Sequence, residues 1–223
     1  MTQGTTNQIL QDVIVRVTRQ LEACSNELND LDAKLGDGDM GTTLATISRA
    51  LRPEMENLPD DIGACLSRVV RVIGRTSGSS LSAVVMTGFH RVAKATRGQA
   101  SIPWPELAEL IELGVNAMQE RGGAKLGDKS VLDGLAAIAK ALAKEIDHTA
   151  FASVAEAAVA QAIAEYRDKP SRIGRARLAG DRSIGQDDPG MVALMRIIEA
   201  IRSTDHTSAV DFRIQMKAGN VSP

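Results

Sequence analysis

The sequence predicts an all-α chain of eight helices with antiparallel neighbours, on three observations. Apolar residues recur at helical spacing over nearly its whole length. The core material is aliphatic: 43% of the 223 residues are hydrophobic but only 2% aromatic, so Ala, Leu, Ile, Val and Met must fill the interior, and such slim side chains suit closely packed helices. The stretches between periodic segments are short, which makes consecutive helices antiparallel neighbours. No segment reads convincingly as a strand, and no internal repeat or low-complexity linker divides the chain. Residues 1–223 are therefore read as one domain with a short polar C-terminal tail after Thr204.

The elements follow in order. Ile9, Leu10, Val13, Ile14, Val17, Leu21, Cys24 and Leu28 form one long apolar face. A second helix runs from near Gly41 through Leu44, Ile47 and Leu51 to Pro53, and a third starts after Pro59 with Asp60 as its N-cap. The fourth follows Gly74-Arg75-Thr76-Ser77-Gly78 and buries Leu81, Val84, Val85, Phe89 and Val92. Pro103 and Pro105 open the fifth, with Leu107, Leu110, Ile111, Val115 and Met118 as its stripe. Ser130 and Asp133 resemble a capping box at the start of the sixth. The seventh is the Ala-rich stretch 153–166. The eighth opens at Asp188-Pro189-Gly190, with Asp188 as N-cap and Pro189 as first helical residue, and continues to Ile201.

A formal charge of −2 carries no electrostatic bias toward nucleic acid or an anionic membrane. No apolar run reaches ~18 residues, so no membrane helix is expected. The N-terminus lacks the basic start and apolar stretch of a secretion signal. Cys24 and Cys65 sit at periodic apolar positions and are read as reduced core residues, not a disulfide framework. A cytoplasmic protein is the expectation.

The segment richest in chemistry is 31–43, where Asp32, Asp37 and Asp39 fall among Gly36, Gly38 and Gly41. Carboxylates this close repel unless a cation or donors compensate them. Oxygen ligands on a glycine-flexible loop suit magnesium, and the absence of His and Cys from the cluster argues against zinc. An EF-hand lacks its later ligands here. The competing reading is a solvated turn with Asp39 or Thr42 capping the second helix, and the residues alone leave both open. Thr76-Ser77-Gly78-Ser79-Ser80 offers hydroxyls and backbone N–H groups ahead of a helix, either for phosphate or as an ordinary cap. The Gly-rich stretch 122–130 lacks the order and the preceding strand of a Walker A motif. Arg172, Arg175, Arg177 and Arg182 crowd the longest non-helical stretch, roughly 168–187, as a phosphate-binding cluster or a solvated basic loop. In an antiparallel array these junctions, before helices two, four, six and eight, lie at one end.

Taken together, segments 32–43, 74–80, 122–133 and 175–190, in that order and spread across most of the chain, resemble the nucleotide-binding L subunits of dihydroxyacetone kinases, the Dak2 domain family. The resemblance implies an eight-helix antiparallel up-and-down barrel with ADP or ATP and two magnesium ions at one end. It implies Asp32, Asp37 and Asp39 as metal ligands, and Met40, Gly41, Thr42 and Thr43 along the phosphates with Ser77 and Gly78. Gly122 and Val131 would border the base or ribose, and Arg175 with Asp188, Pro189 and Gly190 would complete the pocket. Two positions depart from the family habit of His after the third aspartate and Asn after the Gly-Thr: here these are Met40 and Thr43.

Phosphoryl transfer depends on positioning and charge neutralisation, so the three aspartates are expected to organise metal, and no residue is assigned as an acid or base. His90, His148 and His206 lie outside the matching segments. The resemblance places the keto-sugar on a separate K-type subunit, and a phosphocarrier of the sugar phosphotransferase system is a further expected partner. Erythrulose is an alternative substrate. A kinase module serving another partner-held substrate, as in fatty-acid kinase, and a helical adaptor with fixed ADP are alternative roles.

Overall fold

The computed structural model describes residues 4–203. Their helices are α1 (Asn7–Ala23), α2 (Ser25–Leu35), α3 (Met40–Leu51), α4 (Ile62–Thr76), α5 (Ser80–Ala95), α6 (Leu107–Gly122), α7 (Val131–Leu142), α8 (Phe151–Arg167) and α9 (Pro189–Arg202). Eight of them close a ring. Each of α3 to α9 packs on the next, and α9 returns to pack on α1, which packs on α3. This is the antiparallel up-and-down barrel, and α2 lies outside the ring count, packed on α3.

The long first apolar face is two helices instead of one. α1 ends at Ala23, and Cys24 serves both as its C-cap, donating its N–H to the Gln20 carbonyl, and as the residue before α2. Periodicity continues through the junction because Leu21, Cys24 and Leu28 pack in one cluster with Val192 and Ala193 of α9. The bend therefore left no mark on the apolar pattern. Three local readings also change. Asp61, not Asp60, caps α4, accepting from the Ala64 N–H at 2.5 Å. α4 runs on through Gly74 and Arg75 to Thr76, so the junction before α5 is only 77–79. A short antiparallel pair exists, β1 (Gly4–Thr6) with β2 (Ser101–Pro103), in register Thr5 to Ile102. At three residues each these strands are too short to show alternation.

The capping box at Ser130 and Asp133 and the cap by Asp188 on the Met191 N–H (2.8 Å) are as read. One side of the interior is filled from α3 and α4 by Ile47, Leu51, Cys65, Val69 and Val72. The other is filled from α6 to α9 by Ala108, Ile138, Phe151, Val159, Leu194 and Ile198. Both cysteines are free and buried, and desolvation pushes the Cys65 thiol up to about 11. His148 stacks on Trp104 with ring centroids 5.8 Å apart, a packing role, while His206 and the polar tail lie outside the described residues.

Candidate functional site

The acidic cluster sits between α2 and α3. Asp32 is on the last turn of α2, and Asp37 and Asp39 follow on the loop. One oxygen from each of the three carboxylates lies within 4.8 Å of the others. The loop is built around Asp32: its Oδ2 accepts from the N–H groups of Gly38 (2.9 Å), Asp39 (3.1 Å) and Met40 (3.4 Å). Gly38 has φ +75, a conformation glycine adopts without strain, and this lets the chain fold back over Asp32. Asp39 occupies the N-cap position of α3 but its side chain makes no capping bond. The turn reading had Asp39 or Thr42 capping this helix; the cap position falls to Asp39, and its carboxylate is turned to the cluster instead.

The donors at the start of α3 are largely taken. Met40 N–H goes to Asp32, and Thr42 N–H goes to Asn29 Oδ1 at 3.0 Å, with Asn29 Nδ2 donating to Thr42 Oγ1 at 2.9 Å. With the Met40 and Thr42 N–H groups already paired, a cation would have to meet much of the charge of an anion bound here. The three carboxylate oxygens are hard donors of the kind magnesium takes. Two of the expected phosphate-lining residues have other work. Met40 packs into the Leu21–Leu28–Val192 cluster, and Gly41 is buried where α3 crosses α2. A Cβ on Gly41 would stand 1.9 Å from the Ser25 carbonyl oxygen. Thr42 is exposed and Thr43 partly so.

The arginine loop reaches this cluster. Arg175 forms an ion pair with Asp37. The loop is also tied to the α6–α7 junction, where Arg172 N–H donates to the Asp128 carbonyl at 2.9 Å and Ile173 packs with Met118 and Leu132. Gly190 and Val131 bring the starts of α9 and α7 together: a Cβ on Gly190 would lie 3.2 Å from that of Val131. Pro189 and Gly190 are buried. Desolvation pushes Asp188 up to about 7, against the pull of the Met191 N–H and with repulsion from Asp133 added. Three of the four junctions thus meet. The fourth keeps to itself: Ser77, Ser79 and Ser82 share hydroxyl bonds of 2.8 Å, and Gly78 stands in open space. Gly122 ends α6 against Val84 of α5, which is how that junction borders the others.

The profile of the DAK2 domain matches residues 34–203. The chain belongs to the DAK2 domain family. Among curated relatives, the DAK2 chain is 29% identical over 189 residues to the PEP-dependent dihydroxyacetone kinase ADP-binding subunit DhaL of Escherichia coli, covering 79% of this chain and 87% of that one. The corresponding Listeria innocua subunit is 28% identical, covering 80% and 86%. L-erythrulose 1-kinase of Mycolicibacterium smegmatis is 32% identical over 78% of this chain, which spans 32% of that longer protein. In fold, the DAK2 chain matches the dihydroxyacetone kinase of Citrobacter freundii, solved with AMP-PNP and Mg2+, at a TM-score of 0.70 and 23% identity, over 91% of this chain and 35% of that one.

Sequence reasoning missed two residues of this region: Asn29 beside the acidic loop, and Lys129 under the arginine loop. Asn29 lies three residues before Asp32, one helical turn back on the same face, a spacing that could have found it. Lys129 left no such signal. A lysine in a Gly-rich loop reads as solvated, yet it is 1% exposed.

Proposed function

We propose that this chain is the ADP/ATP-binding subunit of a dihydroxyacetone-type kinase. It phosphorylates a small keto-sugar held by a separate K-type subunit. The observation that carries the reading is the gathering of Asp32, Asp37 and Asp39 within 4.8 Å beside Arg175, at the end of a DAK2 barrel. Asp32, Asp37 and Asp39 would hold magnesium, two ions in this reading, and the bound metal would neutralise phosphate charge and help position the transferring group. The chain's own contribution is placement. Asp32 sets the loop, Asp37 and Asp39 present oxygens, Arg175 supplies a guanidinium for a phosphate oxygen, and the junctions at Ser77–Gly78, Gly122, Val131 and 188–190 wall the pocket. The names of the Escherichia coli and Listeria innocua relatives favour a phosphocarrier as phosphoryl source over free ATP. A cytoplasmic location fits that partner. Among the described residues no helix is long and apolar enough to cross a membrane.

Erythrulose is the second substrate reading. The match to an L-erythrulose 1-kinase is what supports it. The deciding experiment mixes the purified chain with a K-type subunit, dihydroxyacetone or erythrulose, and either Mg-ATP or PEP with the phosphocarrier proteins. Sugar phosphate is expected only with both subunits present. Equal turnover by the chain alone overturns the two-subunit reading, and no turnover from any combination favours a nucleotide-bound adaptor.

A further inference from the structure

Lys129 is the largest fully buried side chain among the described residues, and it is charged. It adopts φ +61, the only positive φ outside glycine there. That left-handed conformation costs a lysine about 1 kcal/mol or more and persists only where surroundings over-determine it. The surroundings are three carbonyls. The Nζ donates to Arg167 O (2.9 Å), Lys169 O (2.8 Å) and Ser183 O (2.7 Å), which uses all three ammonium protons. Burial lowers the Lys129 pKa, while Asp188, Asp187 and Asp168 pull it back up.

Those carbonyls flank the neck of the arginine loop. Two further bonds cross it: Gly185 N–H to Arg167 O at 2.9 Å, and Ser171 N–H to Ser183 Oγ at 2.8 Å. Beyond the neck, 172–182 bears Arg172, Arg175, Arg177 and Arg182, and the sequence's non-helical stretch is here a 3-10 helix, Arg175–Ser183, packed on α2. Lys129 itself hangs from a braced turn. Asp133 accepts from Gly127 N–H (2.5 Å) and Ser130 N–H (2.9 Å), and Asp128 accepts from Lys125 N–H (2.7 Å).

We propose that Lys129 is a positioning residue of the nucleotide pocket: it closes the neck of the 168–187 loop and thereby holds Arg175 over the acidic cluster. The proposal rests on the nucleotide reading of that cluster. A surface lysine could neutralise charge nearby, but only a buried ammonium with three donors can draw three convergent carbonyls, from both strands of the loop, to one point. Neither Met nor Gln reproduces that.

The test is a double-mutant cycle on the full chain, read by calorimetric titration with Mg-ADP. Lys129→Met and Arg175→Ala are each expected to weaken binding roughly tenfold, the class of loss for one charge-assisted bond. Combined, they are expected to lose little more than either alone, because Lys129 acts through Arg175. A roughly hundredfold additive loss, or wild-type affinity in Lys129→Met, overturns the proposal. Trypsin supplies a readout independent of nucleotide: Lys129→Met should be cut faster within 172–182 while the barrel keeps its helical spectrum, and unchanged cutting counts against the neck. If Lys129→Met does not fold, Ser183→Ala, which removes one bond across the neck, goes through the same cycle with the same outcomes. Wild-type protein that does not bind Mg-ADP sinks the nucleotide reading itself, and the trypsin arm then decides alone whether Lys129 holds the loop.

Discussion

At the scale of single residues, the three aspartates do different jobs. Asp32 accepts three backbone N–H groups, so Asp32→Ala should loosen the loop as well as remove a ligand. Asp37→Ala and Asp39→Ala remove ligands with less damage to the backbone. All three should weaken Mg-ADP binding severely in calorimetry, with loss of stability without nucleotide for Asp32→Ala in particular. Near-native affinity in both Asp37 and Asp39 variants would argue for a plain turn. Asp188 carries a pH dependence of its own. Its folded pKa, about 7, lies above the ordinary 3.8, so the folded state holds a proton that the unfolded state has shed between those values. Its stabilising contribution is complete below about pH 4 and is lost as pH rises to 7. Asn keeps the cap and cannot ionise. Asp188→Asn should therefore gain stability relative to wild type as pH rises from 4 to 7, in urea unfolding without nucleotide. Parallel curves would remove Asp188 as the cause.

At the scale of elements, glycine decides how closely helices approach. Gly41 brings α3 onto the backbone of α2, and Gly63 brings α4 onto α5, where a Cβ would lie 2.4 Å from the Ala93 carbonyl oxygen. In both places the obstacle is backbone, which moves only with its helix. Each Gly→Ala change should cost about 1–3 kcal/mol, the usual range for overpacking. Their effects on the site should differ. Gly41 adjoins the acidic loop, whereas Gly63 is fourteen residues of α4, roughly 21 Å, from Ser77. Urea unfolding is expected to register both substitutions, and Mg-ADP titration only Gly41→Ala. Equal losses of affinity would show that packing strain spreads through the barrel. A second tie between elements is ionic: Arg196 of α9 binds Glu27 of α2 at 2.5 and 3.0 Å, and this bond holds the Glu27 carboxyl below its ordinary range. It fixes the outlying α2 against the ring that supports Asp32.

At the scale of the whole molecule, the closed ring makes the fold independent of a partner, while the polar end presents apolar side chains that the barrel does not cover. Leu126, Leu178 and Ile184 are 53, 77 and 44% exposed, on the loops that border the acidic cluster. They suit the proposed K-type partner closing over the proposed nucleotide pocket. Replacing Leu126 and Leu178 with Ser should leave Mg-ADP affinity intact and weaken coupling to a K-type subunit, seen as a rise in the subunit concentration needed for half-maximal turnover. No rise would place the interface elsewhere. Ligand linkage gives a second global prediction. Mg-ADP at a hundredfold excess over Kd adds about 2.7 kcal/mol to stability, worth several degrees in Tm for a domain of this size. EDTA should abolish most of that gain, and a gain indifferent to EDTA would mean the nucleotide binds without metal.

The sequence by itself determined the number and placement of the ring helices, because their signals are local: apolar residues at helical spacing, Ser130 with Asp133, and Asp188 followed by Pro189. It also named the candidate metal ligands, three carboxylates within eight residues, but an extended chain would set Asp32 and Asp39 roughly 23 Å apart, and the fold-back at Gly38 is what gathers them. Tertiary structure decided what required distance in sequence to collapse. The bend at Cys24 is invisible in a periodicity that both helices share. Gly41, expected beside the phosphates, is also a helix-crossing glycine, which the sequence could not show because only the neighbouring helix defines the contact. Met40, expected along the phosphates, also packs its half-buried side chain against the Leu21–Leu28–Val192 cluster, a contact likewise defined only by distant chain. Lys129 is the extreme case: its three carbonyl partners lie 38, 40 and 54 residues away, so nothing local distinguishes this buried ammonium from a solvated lysine. Backbone carbonyls belong to every residue alike and leave no trace in an amino-acid sequence.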